Sequence, residues 1–523
     1  MRLVSVLLAS IAFAANAQQP DWLASRPVSY SMNPGLPRHV LASSPSGNLM
    51  SAHLTHGAFG FGQDIFGPCT IERLDPANGQ PFWTCSLTDS VTVETGAVDA
   101  EGNVYVAGQF MGGLSVCDGS TLAHTGSVWD VDLYIMKFDP DGTLLWARNI
   151  SVTDGQASMI TAMAIDPNGD AWYATSDFFL VRLAKVDDLG NDVEVRYIDG
   201  AKTIGGMAFS PSGALYVSGA CDDFGFAFGG LVATPPVGGS YFMFLLRYDA
   251  QGQGDWAEFA HDITFQFPDV AVDDEGNAYV ACNAFDPTDW GGIAINGADW
   301  VSSTFLVKAD STGNFLWGVE SDAPGGNING DLEAAARNTV AVDGDGNAYL
   351  TGTLRGQVDW GNGVVSDGLT LGARSQTIVA FDTNGIPQWE TTSMPLGFLN
   401  AMAVTAMQDG TVHFSAHVNG PLSFPPLIAN DGGLQAFTVG RINGLSTDVP
   451  SIVAEPVISA WPVPANAADD PFNKHTAPGR ICSRSRDRPL RIPICRVSLR
   501  STSRRSMPGS ICSAYRTEAR SAW

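Results

Sequence analysis

Aspartate-rich turns in this 523-residue sequence contain residues that could do chemistry. Two of them read Asp343-Gly344-Asp345-Gly346 and Asp273-Asp274-Glu275-Gly276. Calcium is a hard cation that binds clustered carboxylate and carbonyl oxygens, so these turns are candidate calcium sites. Aspartate also favours tight turns, because its carboxylate accepts hydrogen bonds from nearby backbone amides. Leu354 stands where a bidentate glutamate would complete a calcium loop, and the sequence therefore favours turn formation.

Histidines and nucleophile motifs give little support to catalysis. His413 and His417 would share one face of a strand, but four residues place them roughly 13 Å apart, too far for one metal ion. The sequence contains neither a G-x-S-x-G elbow nor an H-E-x-x-H helix. A glycan hydrolase or lyase would instead need paired carboxylates, about 5 to 9.5 Å apart, converging on one cavity.

Three tryptophans lie in Gly/Trp-rich segments, for example DWGGIAINGADW at 289–300. On exposed loops they would form aromatic platforms that bind sugars or partner proteins. The alternative is that each packs on its own sheet. The three candidate ligand-binding residues are Trp290, Trp300 and Trp360.

Cysteine usage suits an oxidising compartment, in which Cys69 and Cys85 could tie one hairpin together. An odd number of cysteines precedes the C-terminal segment, so at least one stays unpaired, and the connectivity is open. These residues are Cys69, Cys85, Cys117, Cys221 and Cys282.

A motif that returns seven times must position all these residues. It is a short apolar run, a turn closed by glycine and a second apolar run, as in VAVDDEGNAYVA at 270–281 and VAVDGDGNAYLT at 340–351. Alternating apolar residues around such a turn predict a β-hairpin. The turn glycines are Gly47, Gly102, Gly169, Gly213, Gly276, Gly346 and Gly410.

A second hairpin follows each first one, as in FLVKADSTGNFLW at 305–317, and it carries a tryptophan four residues after its glycine. The third unit departs from this rule, because Glu194 stands at the tryptophan position. Two hairpins make the four strands of one propeller blade. The repeat therefore predicts an all-β, seven-bladed propeller of four-stranded antiparallel blades, with indoles packed between blades. These tryptophans are Trp83, Trp146, Trp256, Trp317 and Trp389.

Ring closure is predicted from the two ends of the repeat region. The last unit reaches Asn443 and Gly444 with no tryptophan after them, whereas DWLASRPVS at 21–29 resembles a fourth strand and precedes the first hairpin. An unpaired edge would otherwise remain between the first and last blades. We predict that the strand beginning at Trp22 completes the last blade.

The termini lie outside the predicted propeller at 18–447. Residues 1–17 have a basic start, an apolar stretch and an A-x-A site, the pattern of a secretory signal peptide. Residues 448–460 are a predicted linker, and residues 461–523 are predicted to be a truncated or frame-shifted segment without regular structure. No later run approaches the roughly 18 apolar residues of a membrane span.

Charge divides the chain sharply. Residues 473–523 hold 12 basic and 2 acidic residues, whereas the first 472 hold 16 basic and 52 acidic ones. The acidic part would repel nucleic acid, so no nucleic-acid partner is expected. The basic tail could be a nucleic-acid or anionic-membrane arm. Its lack of apolar periodicity and its abrupt start favour a segment that is translated out of frame or is otherwise a degraded gene end. The 57 glycines and 30 prolines fit many short strands and turns.

Three family resemblances rest on motifs within the chain. The VAVDxxGNxYVxG and FLVKxDxxGxxLW elements are similar to the bacterial SBBP β-propeller repeats, which implies an exported propeller and no catalytic residues. The segment from Trp461, with Pro462, Pro464 and Ala465, resembles a degenerate start of the C-terminal sorting domain of the Bacteroidota type IX secretion system. Residues 309–317 resemble the tryptophan-docking motif of quinoprotein propellers, where the motif is structural. The pyrroloquinoline quinone site of that family uses a pair of adjacent cysteines, and this sequence contains no such pair.

We therefore expect a secreted or outer-surface binding or adhesion module, monomeric, whose partner is a polysaccharide or a surface protein. No cofactor is expected, with calcium left open. The alternative is a secreted glycan hydrolase or lyase that uses carboxylates in the propeller channel.

Overall fold

A computed structural model describes residues 18–30, 39–57, 59–61, 64–125, 130–150, 159–177, 180–297, 303–321, 330–430 and 432–444. All regular structure in these ranges is β-strand. The predicted signal peptide, linker and sorting segment lie outside the described residues. None of the described residues forms a helix long and apolar enough to cross a membrane.

The strands follow one another as antiparallel four-stranded groups, most with short extra strands between the second and third. Strands β1 (Trp22–Pro27) and β2 (Ser29–Tyr30) precede the groups. Group 1 contains β3 (His39–Ser43), β4 (Leu49–Leu54), β5 (His56–Gly57), β6 (Phe59–Phe61), β7 (Asp64–Leu74) and β8 (Pro81–Val91). Group 2 contains β9 (Thr95–Val98), β10 (Val104–Met111), β11 (Leu114–Ser115), β12 (Thr121–Leu122), β13 (Asp132–Phe138) and β14 (Leu144–Ile150).

The same order continues through the middle of the chain. Group 3 contains β15 (Met159–Ile165), β16 (Ala171–Ser176), β17 (Leu180–Val186) and β18 (Asp192–Asp199). Group 4 contains β19 (Ala201–Phe209), β20 (Leu215–Cys221), β21 (Phe226–Phe228), β22 (Leu231–Ala233), β23 (Tyr241–Tyr248) and β24 (Gly254–Asp262). Group 5 contains β25 (Asp269–Val272), β26 (Ala278–Ala284), β27 (Thr288–Trp290), β28 (Ile293–Ile295), β29 (Ser303–Ala309) and β30 (Phe315–Glu320).

The last groups differ at their first and fourth strands. Group 6 contains β31 (Gly330–Ala334), β32 (Val340–Val342), β33 (Ala348–Gly361), β34 (Val364–Asp367), β35 (Ser375–Phe381) and β36 (Pro387–Thr392), with the first strand split into β31 and β32. Group 7 contains β37 (Leu399–Ala406), β38 (Thr411–Asn419), β39 (Leu422–Phe424), β40 (Leu427–Ala429) and β41 (Gln435–Asn443). Its fourth strand is β1, from the other end of the chain.

The repeated turn glycines share one local geometry. Their φ angles lie between +79° and +96°, in the left-handed region that glycine adopts without a Cβ clash. Each donates its backbone N–H to the carbonyl oxygen three residues earlier, as Gly276 does to Asp273 at 3.0 Å. The repeat in the sequence therefore marks one backbone turn that recurs in every group.

The first strands of the groups form a closed cycle. Strand β3 lies beside β9, and the neighbours continue through β15, β19, β25, β32 and β37, which returns to β3. Four-stranded sheets arranged around such a cycle define a β-propeller, with a channel along its axis.

Strand β1 closes the cycle in antiparallel register with β41. Trp22 pairs with Arg441, and Pro27 pairs with Ala436. Buried apolar side chains fill the spaces between consecutive groups. One such cluster joins Leu41 and Leu49 of group 1 to Ala403 and Val439 of group 7, so the two ends of the repeat region share a core.

Candidate functional site in the central channel

The aspartates of the repeated turns bind their own turns. Asp273 Oδ1 accepts the backbone N–H groups of Glu275 and Asn277 at 3.1 and 2.7 Å, and its Oδ2 accepts the Tyr279 hydroxyl at 3.1 Å. Asp343 makes the equivalent bonds to its own turn. No cluster of three metal-ligating side chains occurs among the described residues. The carboxylates that suggested calcium thus act as turn caps.

These turns surround one mouth of the channel, where they bound a cavity of about 460 Å³. Every one of the seven turns contributes to its lining, through residues that include Ser44, Ala100, Asn168, Pro211, Asp274, Asp343 and Gln408. Gln408 Nε2 donates to Asp274 Oδ2 at 2.5 Å, joining group 7 to group 5. A Cβ on Gly344 would lie 2.3 Å from that nitrogen, so the glycine leaves the room this contact needs.

An ion pair crosses the channel near the other end of the first strands. Residues 335–339 separate β31 from β32 and bond to β37, with the Arg337 backbone N–H donating to Met402 O at 2.9 Å. The Arg337 guanidinium pairs with Glu94, which directly precedes β9 in group 2. Glu94 Oε1 also accepts the Thr92 hydroxyl at 2.8 Å. The inserted loop therefore carries one cation across the channel to a buried carboxylate.

Asp269 is a second buried carboxylate in the channel interior. Its Oδ1 accepts Val270 N–H at 2.9 Å, and its Oδ2 accepts Val340 N–H of the next group at 3.1 Å. Burial, the largest influence, raises its pKa to about 7, although these amides act in the opposite direction. The side chain links groups 5 and 6.

A second cavity, of about 300 Å³, lies on the far side of Arg337 from the turns. Its lining is mostly polar and includes Gln266, Asn283, Glu333 and Asn400. Phe267 stands at this cavity with 53% of its surface exposed.

The predicted tryptophan platforms are corrected where the structure describes them. Trp290 is fully buried and packs on Phe305 and Phe315, with ring centroids 6.0 and 5.5 Å apart. Trp360 is 8% exposed, and its Nε1 donates to Ser366 Oγ at 2.9 Å. Both belong to inserted hairpins that fold back on their own group, so neither can bind a ligand by stacking. Trp300 lies outside the described residues.

The repeated tryptophans contact the following group. An added Cβ on Gly142 would lie 2.7 Å from the Trp83 ring, and Trp83 Nε1 donates to Pro140 O at 3.0 Å. Trp22, Trp256 and Trp317 make the same pair of contacts, with N–H donation over 3.1 to 3.3 Å. Trp146 lies on Gly190 in the same way, and Trp389 is buried in the cluster that joins groups 6 and 7.

The third group uses a cation where the others use an indole. Arg196 takes the place of the indole against the turn glycine of the next group. A Cβ on Gly252 would lie 3.0 Å from the Arg196 Nε. The guanidinium lies 4.5 Å from the Trp172 ring centroid and 5.5 Å from that of Tyr248. Glu194, at the tryptophan position, pairs with Arg196 at 2.8 Å.

Buried histidines surround Phe437 where group 7 meets group 1. His39, His53 and His417 lie 4.7, 5.7 and 5.0 Å from the Phe437 ring centroid. His39 also contacts Ser51 Oγ and Ser415 Oγ, each at 3.0 Å. Burial is the largest influence on all three and lowers the pKa of His53 to about 3 and that of His417 to about 4.

The expected Cys69–Cys85 disulfide is wrong. Cys85 bonds Cys117, whereas Cys69, Cys221 and Cys282 are buried free thiols. Strand register explains the correction, because Cys69 faces Leu87 and Cys85 faces Ile71 across the β7–β8 hairpin.

Sequence reasoning missed Arg337, Glu94 and Phe267. The only signal for Arg337 is the extra stretch AAARNT at 334–339, before the apolar run of the sixth repeat. Phe267 precedes Pro268, which favours an extended connection but does not show what it faces.

The fold and channel define a β-propeller, and solved structures similar to this chain include one named as a propeller and two named as lyases. Virginiamycin B lyase from Staphylococcus aureus is 11% identical, with a TM-score of 0.39, over 81% of this chain and 99% of that chain. The Dos1 propeller is 9% identical, with a TM-score of 0.36, over 82% and 95%. An exotype rhamnogalacturonan lyase, YesX, is 11% identical, with a TM-score of 0.36, over 81% and 76%.

Neither the models of known protein families nor the curated protein sequences give a match to this chain. The SBBP and sorting-domain resemblances therefore stay predictions. The propeller class rests on the strand pairing and the closed cycle of first strands.

Proposed function

We propose that the protein is a seven-bladed propeller spanning residues 18–447, closed by its N-terminal strand, and related to the SBBP repeats. The cycle of first strands and the pairing of β1 with β41 support seven blades and this closure. The signal peptide at 1–17 and the degenerate type IX sorting segment from Trp461 remain parts of the proposal.

We propose that the protein is exported and acts in the secreted state or at the outer cell surface. The Cys85–Cys117 disulfide supports this location, because structural disulfides persist in oxidising compartments. A thiol count on protein purified from the secreted fraction and from the cell interior tests it. We expect the disulfide only in the secreted fraction.

The proposed activity is binding or adhesion, with a polysaccharide or a surface protein as partner. The observation that carries it is the state of the two buried carboxylates in the channel interior. Both oxygens of Glu94 bond Arg337 or Thr92, and both oxygens of Asp269 bond backbone amides. Groups held in this way stabilise the channel walls and are poorly placed to move protons on a substrate.

A paired assay tests binding against turnover. Full-length protein is incubated with a panel of polysaccharides, and retention on each is measured together with new reducing ends and unsaturated products. We expect retention without product. Catalytic release of shorter chains would contradict the proposal and support the glycan hydrolase or lyase alternative.

One observation favours that alternative enough to test it. Asp269, with a pKa of about 7, has the proton affinity of a general acid or base at neutral pH. If product appears, Asp269→Asn should abolish its release while leaving retention unchanged. Asp99 caps its own turn at the channel mouth that the turns surround, where its Oδ1 accepts the Asn103 backbone N–H at 2.8 Å. Asp99→Asn is the matched control and should leave release unchanged.

A further inference from the structure

The loop at 266–268 is fixed through its backbone, which leaves two side chains to line the second cavity. Thr203 Oγ1 donates to Gln266 O at 3.0 Å, and Ser218 Oγ donates to Pro268 O at 2.6 Å. A Cβ on Gly205 would lie 2.1 Å from Pro268 O, so this glycine permits the close approach of the loop. Gln266 and the half-exposed Phe267 are thus held in place before any ligand arrives.

Two asparagines in the cavity wall have their carbonyl oxygens engaged by the protein. Asn283 Oδ1 accepts Thr304 Oγ1 at 3.1 Å and Ala334 N–H at 2.8 Å. Asn400 Oδ1 accepts the Arg374 guanidinium at 2.5 Å. Each amide nitrogen keeps two N–H groups, and these are the donors that the asparagines can offer to a molecule in the cavity.

Acceptors stand in the same wall. Glu333 keeps 38% of its side chain exposed and lies 3.4 Å from Arg355, so it retains capacity to accept further bonds. The Gln266 carboxamide can both donate and accept, while Thr203 holds the residue through its backbone carbonyl. The cavity therefore presents donors, acceptors and one apolar ring together.

We infer that this cavity, formed by Gln266, Phe267, Asn283, Glu333, Arg337 and Asn400, binds a neutral hexose unit of a polysaccharide. The inference rests on the proposed binding function and names its site and ligand class. Vicinal hydroxyls both donate and accept, which matches fixed amides beside a carboxylate. The C–H face of a pyranose packs on an aromatic ring, and a cavity of about 300 Å³ lies within the size range of ligand pockets. The excess of acidic residues over the first 472 positions disfavours an acidic sugar.

Calorimetry on the full chain tests the inference with three probes: cellohexaose, mannohexaose and hexagalacturonate. We expect at least one neutral probe to bind. Phe267→Ala should weaken that binding about 10-fold, because the substitution removes the half-exposed ring on which the sugar face packs. Gln266→Ala should weaken it about 5-fold. Phe224→Ala removes a ring that is 73% exposed and outside the cavity, and should leave the Kd within about 2-fold.

The outcomes separate the site from the function. A neutral probe that binds all variants equally overturns this site while the binding function stands. Binding of hexagalacturonate alone overturns the neutral ligand class. If the protein captures a surface-protein partner and binds none of the saccharides, the sugar site is overturned, whereas the proposed binding function stands. Product release from any probe overturns the binding function itself. Melting temperatures of the variants within a few degrees of the parent confirm that the fold is intact.

Discussion

The same kind of indole packing occurs at two contacts between groups. One joins groups 1 and 2, and the other closes the ring between groups 7 and 1. In both, an indole lies on a turn glycine of the next group and donates to a carbonyl: Trp83 on Gly142, and Trp22 on Gly79. The closing contact differs in its chain connection, because Trp22 belongs to a strand from the opposite end of the sequence.

The closing contact is also more polar. Arg26 Nε pairs with Glu72 at 2.8 Å and donates through its other nitrogen to Gly79 O at 2.7 Å, while three histidines lie around Phe437. Ordinary contacts are built by neighbouring segments, so they form locally. Closure also requires β1 to pair with β41, more than 400 residues away, whereas the Arg26 contacts with Glu72 and Gly79 join residues only 46 and 53 positions apart.

Deleting 18–32 should have the largest effect, because group 7 loses its fourth strand and the indole at Gly79. We expect loss of cooperative thermal unfolding, or a fall in Tm of more than about 10 °C. Deletion of residues 1–17 is the matched control and should leave Tm unchanged. Addition of a peptide covering 18–32 should restore part of the loss, and an unchanged Tm in the longer deletion would refute closure by β1.

Acidification should weaken the closing contact more than the others. His53 and His417 are uncharged when folded, whereas in the unfolded chain they bind protons near pH 6.5. Between about pH 6.5 and pH 4 the unfolded chain therefore binds more protons. The free energy of unfolding should fall as pH drops, by about 1.4 kcal/mol per pH unit for each such histidine.

Denaturant unfolding from pH 7 to pH 5 measures this slope. His53→Gln and His417→Gln should each reduce it, because one buried base is removed. His261→Gln changes a histidine away from this contact, whose side chain is 36% exposed, and should leave the slope unaltered. Equal slopes in all variants would show that acid acts elsewhere.

Two glycine substitutions separate indole packing from backbone strain at the ordinary contact. Gly142 and Gly47 have φ angles of +88° and +96°, so alanine strains both by roughly 1 to 2 kcal/mol. Only Gly142 faces an indole, whereas nothing lies within 4 Å of the Gly47 position. We expect Gly142→Ala to cost about 2 kcal/mol more than Gly47→Ala in denaturant unfolding. Equal costs would show that the indole does not contribute to the destabilisation at Gly142.

Arg196→Ala should have the smallest effect of the series, because a guanidinium over the buried rings of Trp172 and Tyr248 contributes less than a packed indole. We expect about 1 kcal/mol of destabilisation in the same measurement. Arg196→Lys keeps the charge but loses the planar contact, and should cost nearly as much. Full stability in Arg196→Lys would show that a positive charge is sufficient at this contact and that the planar guanidinium is not needed.

The repetitive part of the fold could be predicted from the sequence, because local turn chemistry determines it. Gly276 and its counterparts need positive φ, and an indole four residues after a glycine marks a strand that reaches the next group. The closing strand at Trp22 was also predictable, since the last repeat lacks its own fourth strand.

The channel contents could not be predicted in the same way. Arg337 reaches Glu94 across 243 residues, and no local pattern encodes such a distance. The disulfide was mispredicted because the hairpin register places Leu87 opposite Cys69 and Ile71 opposite Cys85, whereas the actual partner, Cys117, lies in the following group. Trp290 was a candidate for an exposed platform, with packing on its own sheet as the alternative, and the structure shows the packing, because its inserted hairpin folds back on β29 and β30.

The most direct test of ring closure is a cysteine pair across β1 and β41. Ser25 Oγ and Thr438 Oγ1 lie 3.2 Å apart on directly paired residues, so Ser25→Cys with Thr438→Cys should form a disulfide. Mass spectrometry of the protease-digested double variant should find peptides from the two ends of the propeller joined, and neither single variant should show them. A double variant that keeps both thiols reduced under oxidising conditions would contradict a ring closed by the N-terminal strand.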